Sequence, residues 1–156
     1  MIIKNAQAGL ILKNVVVVEL AIKNSLAEGL RFDENSQILD IDYNILNLRS
    51  DEKTYFAEIE MKTRVTIKKN RKIYFDLKIT HLAFYAASKK QYQTSCEFSD
   101  AVNLNGLASL ISFARSNIAS ITGLTFCQGN IALPMLNVFK LNEIKAKSQQ
   151  PNKVGE

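Results

Sequence analysis

Between Leu39 and Ile79 apolar side chains fall on every second position, a spacing that constrains the fold more than any other feature of the chain. Leu39, Ile41, Tyr43 and Ile45 alternate with Asp40, Asp42 and Asn44. After the turn sequence SDEK at 50–53 the pattern resumes with Ala57, Ile59, Met61, Val65 and Ile67. After KKNRK at 68–72 it returns with Ile73, Phe75, Leu77 and Ile79, alternating with Tyr74, Asp76 and Lys78. A period of two belongs to an extended chain, whose side chains point to opposite faces in turn. The stretch therefore reads as a three-stranded antiparallel meander with one greasy face and one charged face.

The segments on either side extend this core. VVVVELAI, 15–22, is apolar on both sides of a strand, with Val16, Val18, Leu20 and Ile22 alternating with Val15, Val17 and Ala21, so both of its faces want cover. EGLRFDENSQ, 28–37, reads as a long connection, which frees this strand from pairing with the next by a hairpin. LAFYAA, 82–87, is apolar at every position and is expected to be covered on both sides or to lie in a groove as a contact surface. SKKQYQTSCEFSDAVNLNG, 88–106, is a polar connection with room for a turn of helix. Leu107, Leu110, Ile111, Ala114, Ile118 and Ile121 then fall on one helical stripe, with Asn103 or Asn105 placed to cap its start and Gly123 to mark its end. The opposite side carries Ser109, Ser112, Ser116, Ala119 and Ser120, small enough to let another backbone approach.

Composition narrows the function classes. A chain of 156 residues suits one domain with a core of its own, and 47% hydrophobic with 22% charged residues is ordinary for a globular protein. No tract is long enough to span a bilayer. The apolar N-terminal segment is broken by Lys4, Lys13, Glu19 and Lys23 and carries no clean cleavage site, so it reads as a strand of a cytoplasmic protein. Cys96 and Cys127 stand far apart and make no disulfide framework. The net charge of +5 gathers in KKNRK, at Lys89 and Lys90, and from Lys140 onward, where turns and tails are usually solvated.

Chemistry finds little to work with. His81 is the only histidine, which excludes any triad or metal site needing two; at the end of the third meander strand it reads as an ordinary hydrogen-bonded side chain. No phosphate-binding loop and no zinc-spaced cysteine pair is present. The paired carboxylates lie at strand spacing on an exposed face, where burial raises no pKa. No catalytic residue, metal or cofactor is assigned, and an enzyme is not expected.

Two motifs carry a family resemblance. Four strands with a long connection after the first are followed by ISFARSNIASITG at 111–123 and LPMLNVF at 133–139. Phe113, Ala114 and Arg115 match the aromatic-Ala-Arg signature on the long helix of the SecB protein-export chaperones; Pro134, Asn137 and Phe139 match the family's later proline, Asn and Phe, with one extra residue before the Phe. The chain resembles that family over residues 9–141. The resemblance implies an α+β fold, with a four-stranded antiparallel sheet packed against a long helix in the C-terminal half. It implies one domain over 1–141, a polar flexible tail over 142–156, and assembly as a homotetramer built from two dimers.

The function it implies is the holding of unfolded chains in apolar grooves without nucleotide hydrolysis. Leu82, Phe84, Tyr85, Phe113, Phe126, Leu136 and Phe139 would wall such a groove, against the competing reading that they fill the core. Val15, Val17, Ser109, Ser112, Ser116 and Ser120 would form the oligomer interface. Asp40, Asp42, Glu58, Glu60 and Asp76 share the charged face, which in the family docks the translocation motor SecA. Two observations argue against motor docking here. Asp40 or Asp42 falls near Lys62 and Asp76 near Arg64, so cross-strand pairing absorbs the charge. The tail NEIKAKSQQPNKVGE is basic where many members of the family end in acidic stretches. Some SecB-like proteins serve a single client, such as an antitoxin, and that reading stays open for this chain. From other classes stand a small apolar ligand or lipid carrier and a basic nucleic-acid-binding module; the latter rests on IKKNRKI and the tail but lacks the RRM pattern of basic and aromatic residues.

Overall fold

The alternation is realised as four antiparallel strands: β1 (Ile11–Asn24), β2 (Gln37–Ser50), β3 (Thr54–Lys69) and β4 (Lys72–Ser88). A computed structural model describes residues 9–25, 36–125 and 130–149. The strand order is β1-β4-β3-β2, so the meander is β2-β3-β4 and β1 pairs with β4. Two turns set the register. At the first, Asp51 accepts the N–H groups of Lys53 and Thr54 at 2.8 and 2.7 Å. At the second, Asn70 and Arg71 both take positive φ, the backbone a two-residue hairpin loop favours.

The third meander strand does not end near Thr80. β4 continues to Ser88, because LAFYAA keeps the two-residue period while being apolar on both faces. Ala83, Tyr85 and Ala87 continue the greasy face and are buried, whereas Leu82 and Phe84 are half-buried on the other. His81 is consequently mid-strand and fully buried. β1 departs from strict alternation as well. Bulges at Leu12/Asn14 and Val17/Glu19 place Leu12, Val15, Val17, Leu20 and Ile22 on the greasy side, opposite Tyr85, Ala83, His81, Ile79 and Leu77.

The greasy face is covered by helix. α1 (Ser95–Ala101), a π-helical turn (Val102–Gly106) and α2 (Leu107–Thr125) run on from one another. The start is capped by Thr94, not by Asn103 or Asn105. Thr94 Oγ1 accepts the Glu97 N–H at 3.2 Å, and the Glu97 carboxylate accepts the Gln93 N–H at 2.8 Å. α2 also runs two residues past Gly123. Its stripe is buried as expected at Leu107, Leu110, Ile111, Ala114 and Ile118. At Gly106 the helix touches the sheet so closely that a Cβ would meet Ile59 at 3.2 Å and the Tyr85 ring at 3.4 Å.

Two buried clusters hold the layers together. One joins Tyr43, Tyr55, Ile59, Met61 and Tyr85 to Phe98, Leu107 and Leu110, with the Phe98 ring stacked on Tyr55 at 5.2 Å. The other joins Val65, Phe75, Leu77 and Ile79 to Ile118, Ile131 and Leu133. A last helix, α3 (Val138–Gln149), starts at Asn137, whose Oδ1 accepts the Lys140 N–H at 3.2 Å. Residues 142–149, expected in a flexible tail, are therefore helical. Asn142 and Lys145 fix them to β2, a role that no apolar spacing announces; residues 150–156 lie outside the described residues.

Candidate functional site

The single arginine within α2 joins the two motifs. Arg115 donates from Nε to the Leu133 carbonyl at 3.3 Å and from Nη2 to the Pro134 carbonyl at 3.0 Å, so the segment after the helix is tied back along its flank. Beside these ties apolar side chains remain in solvent. Phe113 on α2, Met135 in the tied segment and Phe139 on α3 are 44%, 88% and 67% exposed, and Leu124 and Ile144 are exposed too. Single exposed apolar residues are normal on a protein surface. Here they stand on three elements that Arg115 and the first core cluster draw to one side of the sheet, where Leu136 and Leu141 pack.

The groove residues expected from the sequence divide between the two faces. Tyr85 is core: its hydroxyl donates to the Gly106 carbonyl at 2.7 Å and meets Ser109 Oγ at 2.8 Å, and burial pushes its pKa upward. Leu82 and Phe84 lie on the outer face, opposite Glu60 and Glu58 of β3, and share no surface with Phe113, Leu136 and Phe139 on the helix side. Phe126 lies outside the described residues, as does Cys127. Phe113, Leu136 and Phe139 lie on the helix side of the sheet, on α2, the tied segment and α3.

Of the interface residues, Ser112, Ser116 and Ser120 are exposed on α2, while Ser109 is turned inward to Tyr85. Val15 is half-buried and Val17 is exposed on the free edge strand β1, with Val18 and Leu20 exposed beside it. Leu12 and Val15 pack against the first core cluster, and Asn24 donates to the Thr125 carbonyl at the end of α2, so the exposed apolar part of β1 is Val17, Val18 and Leu20.

The acidic residues do share the outer face, since their register partners are Arg64 for Asp40, Lys62 for Asp42 and Thr66 for Asp76. Most are engaged. Asp76 accepts two bonds from Arg64, at 2.7 and 3.0 Å, which hold its carboxyl below the usual range. Asp42 accepts from Lys145 at 2.8 Å with the same consequence. Glu58 accepts from Asn47 at 2.8 Å and Glu60 pairs with Lys62 at 3.1 Å. Three of the five carboxylates, Asp42, Glu60 and Asp76, thus have a cationic partner, and the Asp76–Arg64 pair is the cross-strand one anticipated.

His81 is hydrogen-bonded, as expected for the lone histidine: its Nε2 meets Asn117 Nδ2 at 3.0 Å, while Nδ1 is buried without a partner. Burial lowers its pKa from the ordinary value. The neutral form is thus favoured in the fold, whereas the unfolded chain takes up a proton near pH 6.5. The contribution is complete above about pH 6.5 and is lost as pH falls towards the lower folded value. Urea midpoints of the wild type should therefore decline as pH falls below about 6.5, and His81→Leu should flatten that decline; an identical decline in the variant would contradict it. The depressed Asp42 and Asp76 act lower, losing their contribution as pH drops below about 4.

Among the described residues no cluster could hold a metal ion, and no helix is long and apolar enough to cross a membrane. No family model and no curated protein matches the sequence. Solved structures do. A SecB-like chaperone from Mycobacterium tuberculosis, in complex with a peptide from the HigA1 antitoxin, superposes with a TM-score of 0.56 at 12% identity, over 83% of this chain and 92% of that one. A protein of unknown function from Streptococcus agalactiae gives a TM-score of 0.51 at 14% identity, over 81% and 97%. At this identity the likeness is one of fold, which is α+β and SecB-like.

Proposed function

We propose that the protein is an ATP-independent, chaperone-like binder of non-native polypeptides. The observation that carries this reading is the set of exposed apolar side chains on α2, the tied segment and α3, Phe113, Met135 and Phe139 foremost. An unfolded segment presents scattered apolar groups, and a surface with aromatic and methionine side chains and little charge accommodates many of them. The SecB-like fold supports the reading, since the chaperone of that fold was captured on a peptide of an antitoxin. A dedicated client of that kind fits better than handing clients to the SecA motor, because three of the five outer-face carboxylates, Asp76, Glu60 and Asp42, are already paired with Arg64, Lys62 and Lys145. The protein would work in the cytoplasm.

It would work as a homo-oligomer, a tetramer made of two dimers. β1 is self-complementary about Val16. An antiparallel twin centred there sets Val15 against Val17, Leu12 against Leu20 and Lys13 against Glu19, with apolar groups meeting on the greasy side and opposite charges on the outer one. Pairing would also cover a free sheet edge. The small face of α2, at Ser112, Ser116 and Ser120, would join the dimers.

A fluorescently labelled, permanently unfolded polypeptide tests the function. Without nucleotide its anisotropy should rise and saturate as the protein is added, and a folded control should give no rise. A flat titration would refute the reading.

A further inference from the structure

On the outer face of the sheet a hollow of about 160 Å³ opens over the paired backbone of Ala57 and Tyr85, whose side chains turn the other way into the core. Phe56 and Phe84 line it from adjacent strands, diagonally across that pair. Both rings are half-buried, and Lys13, Asn47 and Arg49 at the rim are exposed, so the hollow is open to a ligand.

A bulge in β2 shapes the rim. Leu46 faces Glu58 and Arg49 faces Phe56, so Asn47 and Leu48 stand together against Ala57. Asn47 takes a φ of 50°, a backbone that asparagine tolerates better than most residues, and its Nδ2 donates to Glu58 Oε2 at 2.8 Å. Bulges are frequent next to binding sites, where they re-aim side chains. This one engages Glu58 with Asn47 and brings Arg49 back to the outer face, its guanidinium 5.7 Å from the centre of the Phe56 ring.

The charge left over is positive. Arg49 and Lys13 have no carboxylate partner among the described residues. In the twin arrangement of β1, Lys13 meets Glu19 of the second copy, so Arg49 is the cation that stays available. Apolar groups lengthen the surface: Leu46 beside Glu58 is exposed, and Leu82, two residues along β4 from Phe84, is half-buried.

Two phenyl rings with an uncompensated guanidinium at their edge complement an aromatic side chain that has a carboxylate beside it. We propose that the hollow docks a short segment of a partner polypeptide, in which an aromatic residue lies between Phe56 and Phe84 and an adjacent aspartate or glutamate meets Arg49. The leucines extend the surface beyond one side chain, which fits a segment better than a small aromatic acid. The site lies across the sheet from Phe113 and Phe139 and stands independently of the chaperone reading.

Three labelled peptides of glycine and serine test it, carrying phenylalanine-aspartate, phenylalanine-lysine or alanine-aspartate at their centre. Anisotropy follows their binding to the full chain at sub-millimolar concentrations. The phenylalanine-aspartate peptide should bind about three- to fivefold more tightly than the phenylalanine-lysine one, the range for one exposed ion pair, and Arg49→Glu should reverse that order. Phe84→Ala should weaken the phenylalanine-aspartate peptide about tenfold, to the level of alanine-aspartate, whereas Phe113→Ser with Phe139→Ser should leave it unchanged. Unchanged circular dichroism would show that the variants fold. Equal binding of the three peptides, or loss of binding in the Phe113 and Phe139 variant, would overturn the proposal. So would a fall in the native mass of Arg49→Glu, which would put a second copy in the hollow, or competition by phenylacetate at the peptide's own concentration, which would make it a small-acid site.

Discussion

Lysine at both Val17 and Leu20 is expected to reduce the native mass from four chains to two, held by the α2 contact, while leaving circular dichroism unchanged. Both side chains sit on the greasy side of β1, yet they are 44% and 49% exposed. The isolated chain can therefore accept lysines there with little strain. In the twin arrangement they would face Val15 and Leu12 of the second copy, and burying an unpaired ammonium costs several kcal/mol. Native mass measured at micromolar concentration decides the matter. An intact tetramer in the variant would show that β1 is not an interface.

The second large effect concerns the client surface. Phe113→Ser together with Phe139→Ser should weaken uptake of an unfolded polypeptide roughly thirtyfold. Full burial of a phenyl side chain is worth about 1.5–3 kcal/mol, and partial burial of two on binding gives about 2 kcal/mol in all. Neither ring belongs to the buried clusters, so thermal stability should stay within about 0.5 kcal/mol of the wild type. Anisotropy titration of both proteins with the same labelled chain checks it. Unchanged affinity would move the client elsewhere, the outer-face pair Leu82 and Phe84 being the next surface to alter.

The sheet was legible because alternation leaves few alternatives: Ile59, Met61, Leu77 and Ile79 are buried on the face their spacing assigned. The buried stripe of α2 was legible for the same reason, with a period of 3.6 in place of two. Three things were not. The two bulges in β1 change which valines share a face, and a bulge is one extra residue with no fixed composition. The helix starts at Thr94 because Thr94 accepts the Glu97 N–H while Glu97 accepts the Gln93 N–H, within a polar stretch whose overall composition reads as loop. Asn142 and Lys145 gain their significance only from partners far away in the chain, and polar residues at such separations form no pattern in sequence. The groove was half legible: the apolar character of LAFYAA was plain, but only the strand register shows that Tyr85 faces the helix while Leu82 and Phe84 face away.

Native mass by light scattering, with and without a labelled, permanently unfolded polypeptide and in the absence of nucleotide, tests the central claim most directly. The account predicts four chains together, and a mass that rises by that of the polypeptide and then saturates. A single chain whose mass ignores the polypeptide would contradict it, leaving a SecB-like fold put to another use.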